Sequence, residues 1–304
     1  MRQFFAIIGH PVAHSLSPRF QQAAFDASGL DAAYLPFDIS PEQLPQALAA
    51  LRILGVAGFN ITLPHKEAIP GMVDGLSETA REIGAVNTVV SRRGEWLGDN
   101  TDGPGFLLAL ERFLEENRLA FPSHVLIFGA GGSARAVLWA LARRPFRAIC
   151  LVNRTRSRGE ALLNLPILSG IPDRTACALD QTSWRDWISN AKNPLVINTL
   201  SLRAFAGNEI PFPPLEGLSL SDATLFDLSY VPSKPSGAGP EEGGRTPFLE
   251  MGSLFGAPSQ NGLGMLLCQG ALAFRLWTGK EAPVDRMEEV LRLATGQKSL
   301  WKSL

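Results

Sequence analysis

Apolar and polar positions in the first hundred residues follow two different periods. Short runs rich in β-branched and aromatic side chains, with the length of buried strands, lie at Phe4–Gly9, Ala33–Ile39, Val56–Thr62 and Asn87–Ser91. Between them, the segments SPRFQQAAFDAS and PEQLPQALAALRIL repeat apolar residues every three or four positions, as amphipathic helices do. Strands that alternate with helices predict a largely parallel sheet covered by helices.

A second series of strands and helices begins near residue 123. An apolar strand at Val125–Phe128 runs into the glycine-rich turn GAGGSA and a helix, and a second strand follows at Ala148–Val152. Further strands are predicted at Leu195–Asn198 and Leu225–Leu228. The Gly, Pro and Ser content of Ser233–Pro247 is too high to bury a core and predicts a mobile loop.

Chain length and the remaining helices set the domain organisation. The amphipathic segment Gly105–Asn117 leads into the second series, and two helices near Gly262–Trp277 and Pro283–Ala294 come last. A chain of 304 residues is long enough for two domains. We expect an α/β fold with an N-terminal domain, residues 1–104 completed by 263–304, and a Rossmann-type dinucleotide-binding domain, residues 105–262. The C-terminal helices would then return to the first domain.

Composition narrows the class of partner. A net charge of −1, with 45% hydrophobic and 19% charged residues, gives no electrostatic footprint for nucleic acid or an anionic membrane. The apolar run FFAIIG is interrupted at once by HPVAHS, so it predicts neither a signal peptide nor a membrane span. Three scattered cysteines and four histidines show no metal-ligand spacing, which predicts free buried thiols, no metal and a cytoplasmic protein.

The glycine turn and the end of the next strand predict a dinucleotide site. Gly129–Ala134 fits the pattern G-x-G-x-x-A, in which glycines let the backbone approach a pyrophosphate at a helix N-terminus. No acidic residue occurs between Arg135 and Glu160 to bind the ribose hydroxyls of NAD. The strand end instead carries amide, hydroxyl and guanidinium groups, which suit the 2′-phosphate of NADP: Asn153, Arg154, Thr155, Arg156 and Arg158. A structural turn and a solvated basic loop are the alternatives.

Candidate chemistry in the first hundred residues lies in four polar segments. NITLPHK places Lys66 just after a strand, and GDNTDG places Asp99 and Asp102 before a helix. HSLSP carries Ser15 and Ser17, and GAVNTVV carries Asn87. A solvated lysine, helix N-caps for the acids and one serine, and an exposed turn amide are the plain alternatives.

Together these segments resemble one enzyme family. GHPVAHSLSP, NITLPHK, GAVNTVV, GDNTDG, GAGGSARAV, NRTRSR and NGLGMLLCQG occur in the order, and mostly the spacing, of shikimate dehydrogenases. The resemblance extends from Phe5 to about Trp277. It implies NADP-dependent, reversible reduction of 3-dehydroshikimate to shikimate in chorismate and aromatic amino-acid biosynthesis, by a monomer or homodimer that binds small molecules.

The resemblance also implies roles for individual residues, with the first domain binding substrate. Lys66 and Asp102 match the catalytic pair. Groups that hold the substrate match Ser15, Ser17, Thr62, Asn87, Tyr230 and Gln269. Groups around the cofactor match Gly129, Ala130, Gly131, Gly132, Ser133, Asn153, Arg154, Thr155, Arg158, Leu228 and Gly262.

Some positions depart from the family pattern. TLSLRAF at Thr199–Phe205 replaces a family loop, the family connection after Pro232 is lengthened by Ser233–Arg245, and Asn261 stands where Asp is commoner. The sequence leaves three alternatives: a quinate or dual-specificity dehydrogenase, an inactive NADP-binding regulator, and a folate-linked dehydrogenase, for which HSLSP and NRT would be unexplained.

Overall fold

The structure, a computed structural model, describes residues 2–200, 215, 218, 220–231 and 245–303. The chain divides into two compact units, Met1–Phe106 with Leu266–Ala294, and Leu107–Met265 with Thr295–Leu304. These bounds lie within a few residues of the predicted boundaries at 104 and 262. The predicted loop at Ser233–Pro247 lies outside the described residues except for its last three, and the altered segment Thr199–Phe205 is described only through Leu200.

The last ten residues belong to the second unit and not, as predicted, to the first. Gln260 Nε2 donates a hydrogen bond to Leu300 O at 2.9 Å, and Asn117 Nδ2 donates to Trp301 O at 2.8 Å. These long-range bonds hold the end of the chain on the second unit, and they carry no local signal in the sequence.

The described part of the first unit contains six strands in one sheet. Their bounds are β1 Gln3–Gly9, β2 Ala32–Asp38, β3 Gly58–Ile61, β4 Gly75–Leu76, β5 Thr88–Arg92 and β6 Glu95–Asp99. The helices are α1 Ser17–Ala27, α2 Leu44–Ile53 and α3 Glu78–Ile83, followed by α4 Asp102–Glu116. The strand order is β2-β1-β3-β5-β6-β4. The four predicted strands are confirmed, whereas β4 and β6 were not predicted.

This sheet is mixed: three of its five described ladders are parallel, in line with the sequence-based expectation, and the two that β5 forms are antiparallel. β1 pairs in parallel with β2 and β3, but β5 pairs antiparallel with both β3 and β6. Arg93 and Gly94, with φ values of 53° and 85°, form the two-residue turn between β5 and β6. Such a turn returns the chain antiparallel to itself.

Each face of the first sheet is covered by helices. On one face Ala6, Ile8 and Phe59 pack against Leu44 and Leu48 of α2. On the other, Phe5 stacks on Phe25 of α1, with ring centroids 4.7 Å apart, and lies 5.2 Å from Trp277. Because both faces of the sheet are buried, side chains that point to either face are apolar, and the strand sequences are continuous apolar runs.

The second unit has a parallel sheet of six described strands. Their bounds are β7 His124–Phe128, β8 Ala148–Asn153, β9 Asp173–Ala178, β10 Pro194–Asn198, β11 Thr224–Asp227 and β12 Ser259–Gln260. The described helices are α5 Gly132–Leu141, α6 Arg156–Leu163, α7 Ser183–Ser189 and α8 Pro247–Ser253. The order β12-β11-β10-β7-β8-β9 reverses at β7, as in doubly wound dinucleotide-binding sheets.

Two further helices follow, α9 Leu263–Thr278 and α10 Val284–Thr295. Most of both belongs to the first unit. Trp277 Nε1 donates to Val89 O at 2.9 Å, and a Cβ on Gly58 would lie 2.4 Å from the Trp277 ring. The predicted return of the C-terminal helices is therefore confirmed.

Two composition-based expectations can be compared with the described residues. Cys150, Cys177 and Cys268 form no disulfide bond within the described residues, and the first two are buried as predicted while Cys268 is half-buried. No helix in the described ranges is long and apolar enough to cross a membrane.

Candidate active site

Lys66 and Asp102 lie side by side in the first unit. Lys66 Nζ is 2.7 Å from Asp102 Oδ2, and the two side chains are 12% and 6% exposed. Lysine and aspartate are rarely this buried unless they are paired. The solvated-lysine alternative therefore does not describe Lys66.

Asn100, and not Asp102, caps helix α4. Asn100 Oδ1 accepts hydrogen bonds from the backbone N–H groups of Asp102 at 3.0 Å and Gly103 at 3.3 Å. Asp99 accepts bonds from Ser77 Oγ and the Asn100 N–H and so stabilises the turn. Because the cap is supplied by Asn100, the Asp102 carboxylate is available to face Lys66.

The backbone around Lys66 is fixed on both sides. Lys66 lies in a short 3-10 turn, His65–Glu67, after the end of β3. His65 is buried, with Nε2 2.7 Å from Ile39 O, and Val86 N–H donates to Lys66 O at 2.9 Å. These contacts position the base of the lysine side chain relative to Asp102.

Asn87 bridges the ion pair to Gln269. Asn87 Nδ2 donates to Asp102 Oδ1 at 2.8 Å and lies 3.4 Å from Gln269 Oε1. Asn87 is 2% exposed and Gln269 is 8% exposed, so neither is a surface amide. A Cβ on Gly105 would lie 2.7 Å from Gln269 N, so only glycine lets α9 approach α4 this closely. The structure thus brings Lys66, Asp102, Asn87 and Gln269 into direct contact.

Ser15, Ser17 and Thr62 are placed by their own turns. The N-cap of α1 is Leu16, with no side-chain cap, and Ser15 Oγ accepts the Ser17 N–H at 3.2 Å. Ser15 therefore caps the first N–H of α1, as Asn100 does for α4, although the N-cap position itself is Leu16. Thr62 N–H donates to Ile8 O at 2.9 Å, which places Thr62 at the carboxyl end of β1.

The glycine turn of the second unit lies where the strand order reverses. Gly129 has a φ of +110°, and a Cβ there would lie 2.3 Å from Thr199 Oγ1. Gly131 is the N-cap of α5, which begins at Gly132, and Ala130 and Ser133 complete the turn. The first N–H groups of a helix have no partner within it and can bind an anion.

The predicted 2′-phosphate segment follows β8. Asn153 is half-buried and its Nδ2 donates to Thr155 O at 2.9 Å, whereas Arg154, Thr155 and Arg158 are exposed. Arg156 pairs with Glu160, Nε to Oε1 2.9 Å, on the surface of α6. Arg154 is the first residue after β8, the strand that pairs with β7.

Leu228, Tyr230 and Gly262 lie together beyond β11. Leu228 N–H donates to Asn198 O at 2.9 Å, and Gly262 N–H donates to Ser229 O at 3.0 Å. A Cβ on Gly262 would lie 2.0 Å from Leu228 O, so no side chain fits there. Asn261 Oδ1 accepts the Leu263 N–H at 3.1 Å, so it caps α9 in place of the commoner Asp. Tyr230 is half-buried.

Comparisons with known proteins agree with this geometry. Residues 7–89 match the shikimate dehydrogenase substrate binding domain, and residues 262–292 match the shikimate 5′-dehydrogenase C-terminal domain. The shikimate dehydrogenase (NADP(+)) of Moorella thermoacetica is 41% identical over 97% of this chain and 94% of its own length. The chain belongs to the shikimate dehydrogenase family.

Solved structures of this family share the fold. Shikimate dehydrogenase from Aquifex aeolicus has a TM-score of 0.78 and 33% identity over 96% of this chain and 98% of its own. Shikimate 5-dehydrogenase from Thermus thermophilus, in complex with NADP(H) and shikimate, has a TM-score of 0.73 and 35% identity, over 96% of this chain and 99% of its own.

The residues of this shikimate dehydrogenase family member fit NADP. The φ of +110° at Gly129 and the close approach of Thr199 to this position require glycine in the turn that leads to the α5 N-terminus, where backbone N–H groups can bind a pyrophosphate. Arg154 and Thr155 offer an exposed guanidinium and hydroxyl to a 2′-phosphate. In the described ranges, no group of three or more His, Cys, Asp or Glu side chains could hold a metal ion.

Two buried polar clusters were not predicted from the sequence. In the second unit, the fully buried Asp227 accepts hydrogen bonds from Asn198 Nδ2 at 2.8 Å, from Ser229 N–H at 2.9 Å and from Thr246 Oγ1. Burial raises the pKa of Asp227 to about 6, against these hydrogen bonds, which lower it. The sequence feature that could have indicated this cluster is the aspartate within the apolar run LFDL, because a carboxylate in a buried strand needs hydrogen-bond partners.

The second cluster lies in the first unit and consists of Tyr34, Asn60 and Thr88. All three are at most 5% exposed, and they connect to Asn87. They lie on three different strands, so only the assembled sheet brings them together.

Proposed function

We propose that this chain is an NADP-dependent shikimate dehydrogenase that reversibly reduces 3-dehydroshikimate to shikimate. The observation that carries the proposal is the Lys66–Asp102 pair, 2.7 Å apart and at most 12% exposed, with Asn87 on the second carboxylate oxygen. A buried ion pair of any kind needs such a further hydrogen bond. What favours a functional pair is that Lys66 lies inside the match to the shikimate dehydrogenase substrate binding domain, residues 7–89.

Lys66 and Asp102 transfer the proton of the reaction. The cofactor, when bound, supplies or accepts the hydride. In the reductive direction the C3 carbonyl oxygen gains negative charge, and the Lys66–Asp102 pair delivers a proton to it. In the oxidative direction the same pair removes the proton from the C3 hydroxyl. We assign the step to the pair because the two groups share one short hydrogen bond.

Polar side chains of the first unit bind the substrate. Shikimate carries one carboxylate and several hydroxyls, and each must find a partner when it is buried. Asn87 and Gln269 already border the ion pair. Ser15, Ser17 and Thr62 complete the proposed substrate set of this unit.

The two units have different proposed functions, substrate binding in the first and cofactor binding in the second. The first, with its match to a substrate binding domain over residues 7–89, binds shikimate and carries the proton-transfer pair. The second binds NADP through the Gly129–Ser133 turn, with Arg154 and Thr155 at the 2′-phosphate and Leu228 and Gly262 beside the nicotinamide. We further propose that the chain works in the cytoplasm as a monomer or homodimer.

A crossed assay tests the function. Reduction of NADP or NAD is followed at the nicotinamide absorbance band with shikimate or quinate as substrate. The proposal expects the highest kcat/KM for shikimate with NADP. A higher kcat/KM for quinate would make the chain a quinate dehydrogenase, and NADP binding without turnover of either polyol would make it an inactive NADP-binding protein.

A further inference from the structure

A buried line of polar side chains leads from strand β2 to the catalytic pair. Tyr34 OH lies 2.7 Å from Asn60 Oδ1, and Asn60 Nδ2 lies 3.0 Å from Thr88 Oγ1. Thr88 Oγ1 lies 3.0 Å from Asn87 Oδ1, and Asn87 Nδ2 lies 2.8 Å from Asp102 Oδ1. Buried polar groups in this number are costly unless each one has a partner.

The orientation of Asn60 is set by a backbone group. Asn87 O can only accept, and it lies 3.2 Å from the Asn60 side chain, so that side-chain atom must be the nitrogen. The Asn60 oxygen therefore faces Tyr34, and the Tyr34 hydroxyl must donate to it. Burial raises the pKa of Tyr34 well above 10, which keeps this donor proton in place.

The orientation of Asn87 is set in the same way. Thr101 N–H can only donate, and it lies 2.7 Å from the Asn87 side chain, so that atom must be the oxygen. The Asn87 nitrogen is therefore turned toward Asp102. Thr88 accepts from Asn60 and has its one hydroxyl proton left. Two acceptors are in reach, Asn87 Oδ1 at 3.0 Å and Thr101 Oγ1 at 3.2 Å, and we assign the proton to the shorter contact, with Asn87 Oδ1.

Every donor in this line points the same way, toward Asp102. We propose that Thr88 and Tyr34 are positioning residues of the proton-transfer site, which act through Asn87 and hold its amide nitrogen on the Asp102 carboxylate. The inference rests on the proposed function. Neither hydroxyl is placed in contact with substrate or cofactor, and neither is part of the Lys66–Asp102 pair.

Thr88 offers a matched pair of variants. Thr88→Val keeps the shape of the fully buried side chain and removes the hydroxyl, whereas Thr88→Ser keeps the hydroxyl. Loss of this bond leaves Asn87 Oδ1 with fewer donors, and we expect Thr88→Val to lower kcat about 10-fold. Thr88→Ser should retain at least about half of the kcat of the wild type. Tyr34→Phe, at the far end of the line, should lower kcat about 2- to 3-fold.

A double-mutant cycle separates this role from a general structural one. If Thr88 acts through Asn87, Thr88→Val should lower kcat about 10-fold in the wild type but less than about 2-fold in an Asn87→Ala background. Equal losses in both backgrounds, or no loss in the first, would overturn the inference. The wild type is assayed alongside: its failure to oxidise shikimate overturns the proposed function and this inference together, whereas wild-type turnover without coupling overturns this inference alone.

Discussion

Asp102 and Asp227 are both buried carboxylates, and the two units hold them in different ways. Asp102, with its side chain 6% exposed, faces Lys66 Nζ at 2.7 Å and an amide N–H of Asn87. Asp227, fully buried at the end of β11, receives its hydrogen bonds from the neutral groups of Asn198, Ser229 and Thr246.

The two acids differ in the chemistry of their partners. For Asp227, desolvation outweighs its neutral hydrogen bonds and raises its pKa to about 6. Its hydrogen bonds join the ends of β10 and β11 to the start of α8, which is a structural task. Asp102 instead shares a short hydrogen bond with a titratable partner, which is what a proton-transfer site requires.

The largest predicted effect is a difference in kcat between the Asp102→Asn and Asp227→Asn variants. Asp102→Asn keeps the side-chain size and removes the charge facing Lys66, so kcat should fall about 10²- to 10⁴-fold. Asp227→Asn can still accept from Asn198 and Ser229 through its oxygen and donate to Thr246 through its nitrogen. Its kcat should stay within about 3-fold of the wild type. Similar losses of kcat in both variants would remove the distinction drawn between them.

The next effect concerns the cofactor site of the second unit. Arg154→Ala removes charge-assisted hydrogen bonds to the 2′-phosphate, so kcat/KM for NADP should fall about 10- to 100-fold while that for NAD barely changes. Arg156→Ala is the matched control, because Arg156 is engaged with Glu160. Equal losses for NADP and NAD in Arg154→Ala, or a wild type that prefers NAD, would contradict the assignment of Arg154.

The smallest effect is the pH dependence that Asp227 gives to stability. Its folded-state pKa, about 6, lies above the ordinary value of 3.8, so the folded chain binds this proton more tightly than the unfolded chain. The stabilising contribution is full below the ordinary pKa and is lost as pH rises through 6. From pH 5 to pH 7.5, the unfolding free energy of the wild type should therefore drop by about 1 kcal/mol relative to Asp227→Asn.

Urea unfolding of both proteins at the two pH values measures this change. The comparison between the variants cancels the titration of other groups. A difference between wild type and variant that stays constant from pH 5 to pH 7.5 would show that Asp227 does not titrate in this range.

The sequence predicted what depends on local pattern. The strand, glycine turn and helix at Val125–Leu141 are set by neighbouring residues, and the family motifs alone predicted that Lys66 and Asp102 form a pair. The antiparallel course of β5 and β6 was missed because its signal is one exposed turn, Arg93–Gly94, between polar strand ends.

What the sequence could not predict depends on contacts between distant residues. Tyr34 on β2 and Asn60 on β3 form a hydrogen bond although β1 lies between their strands. Asp227 at the end of β11 bonds to Thr246, which is 19 positions later in the sequence. N-capping was an equally plausible role for Asp102 from the sequence, but Asn100 supplies the cap in the folded chain. Side-chain direction at a helix start is decided by such neighbours and not by residue type alone.

The turnover of Lys66→Ala tests the central claim most directly. Removal of the ammonium beside Asp102 should lower kcat for shikimate oxidation with NADP about 100-fold or more, with only a modest change in the KM for shikimate, because the lost interaction belongs to the transition state. A Lys66→Ala enzyme with near-normal kcat would contradict the account and return Lys66 to the role of a structural ion-pair partner.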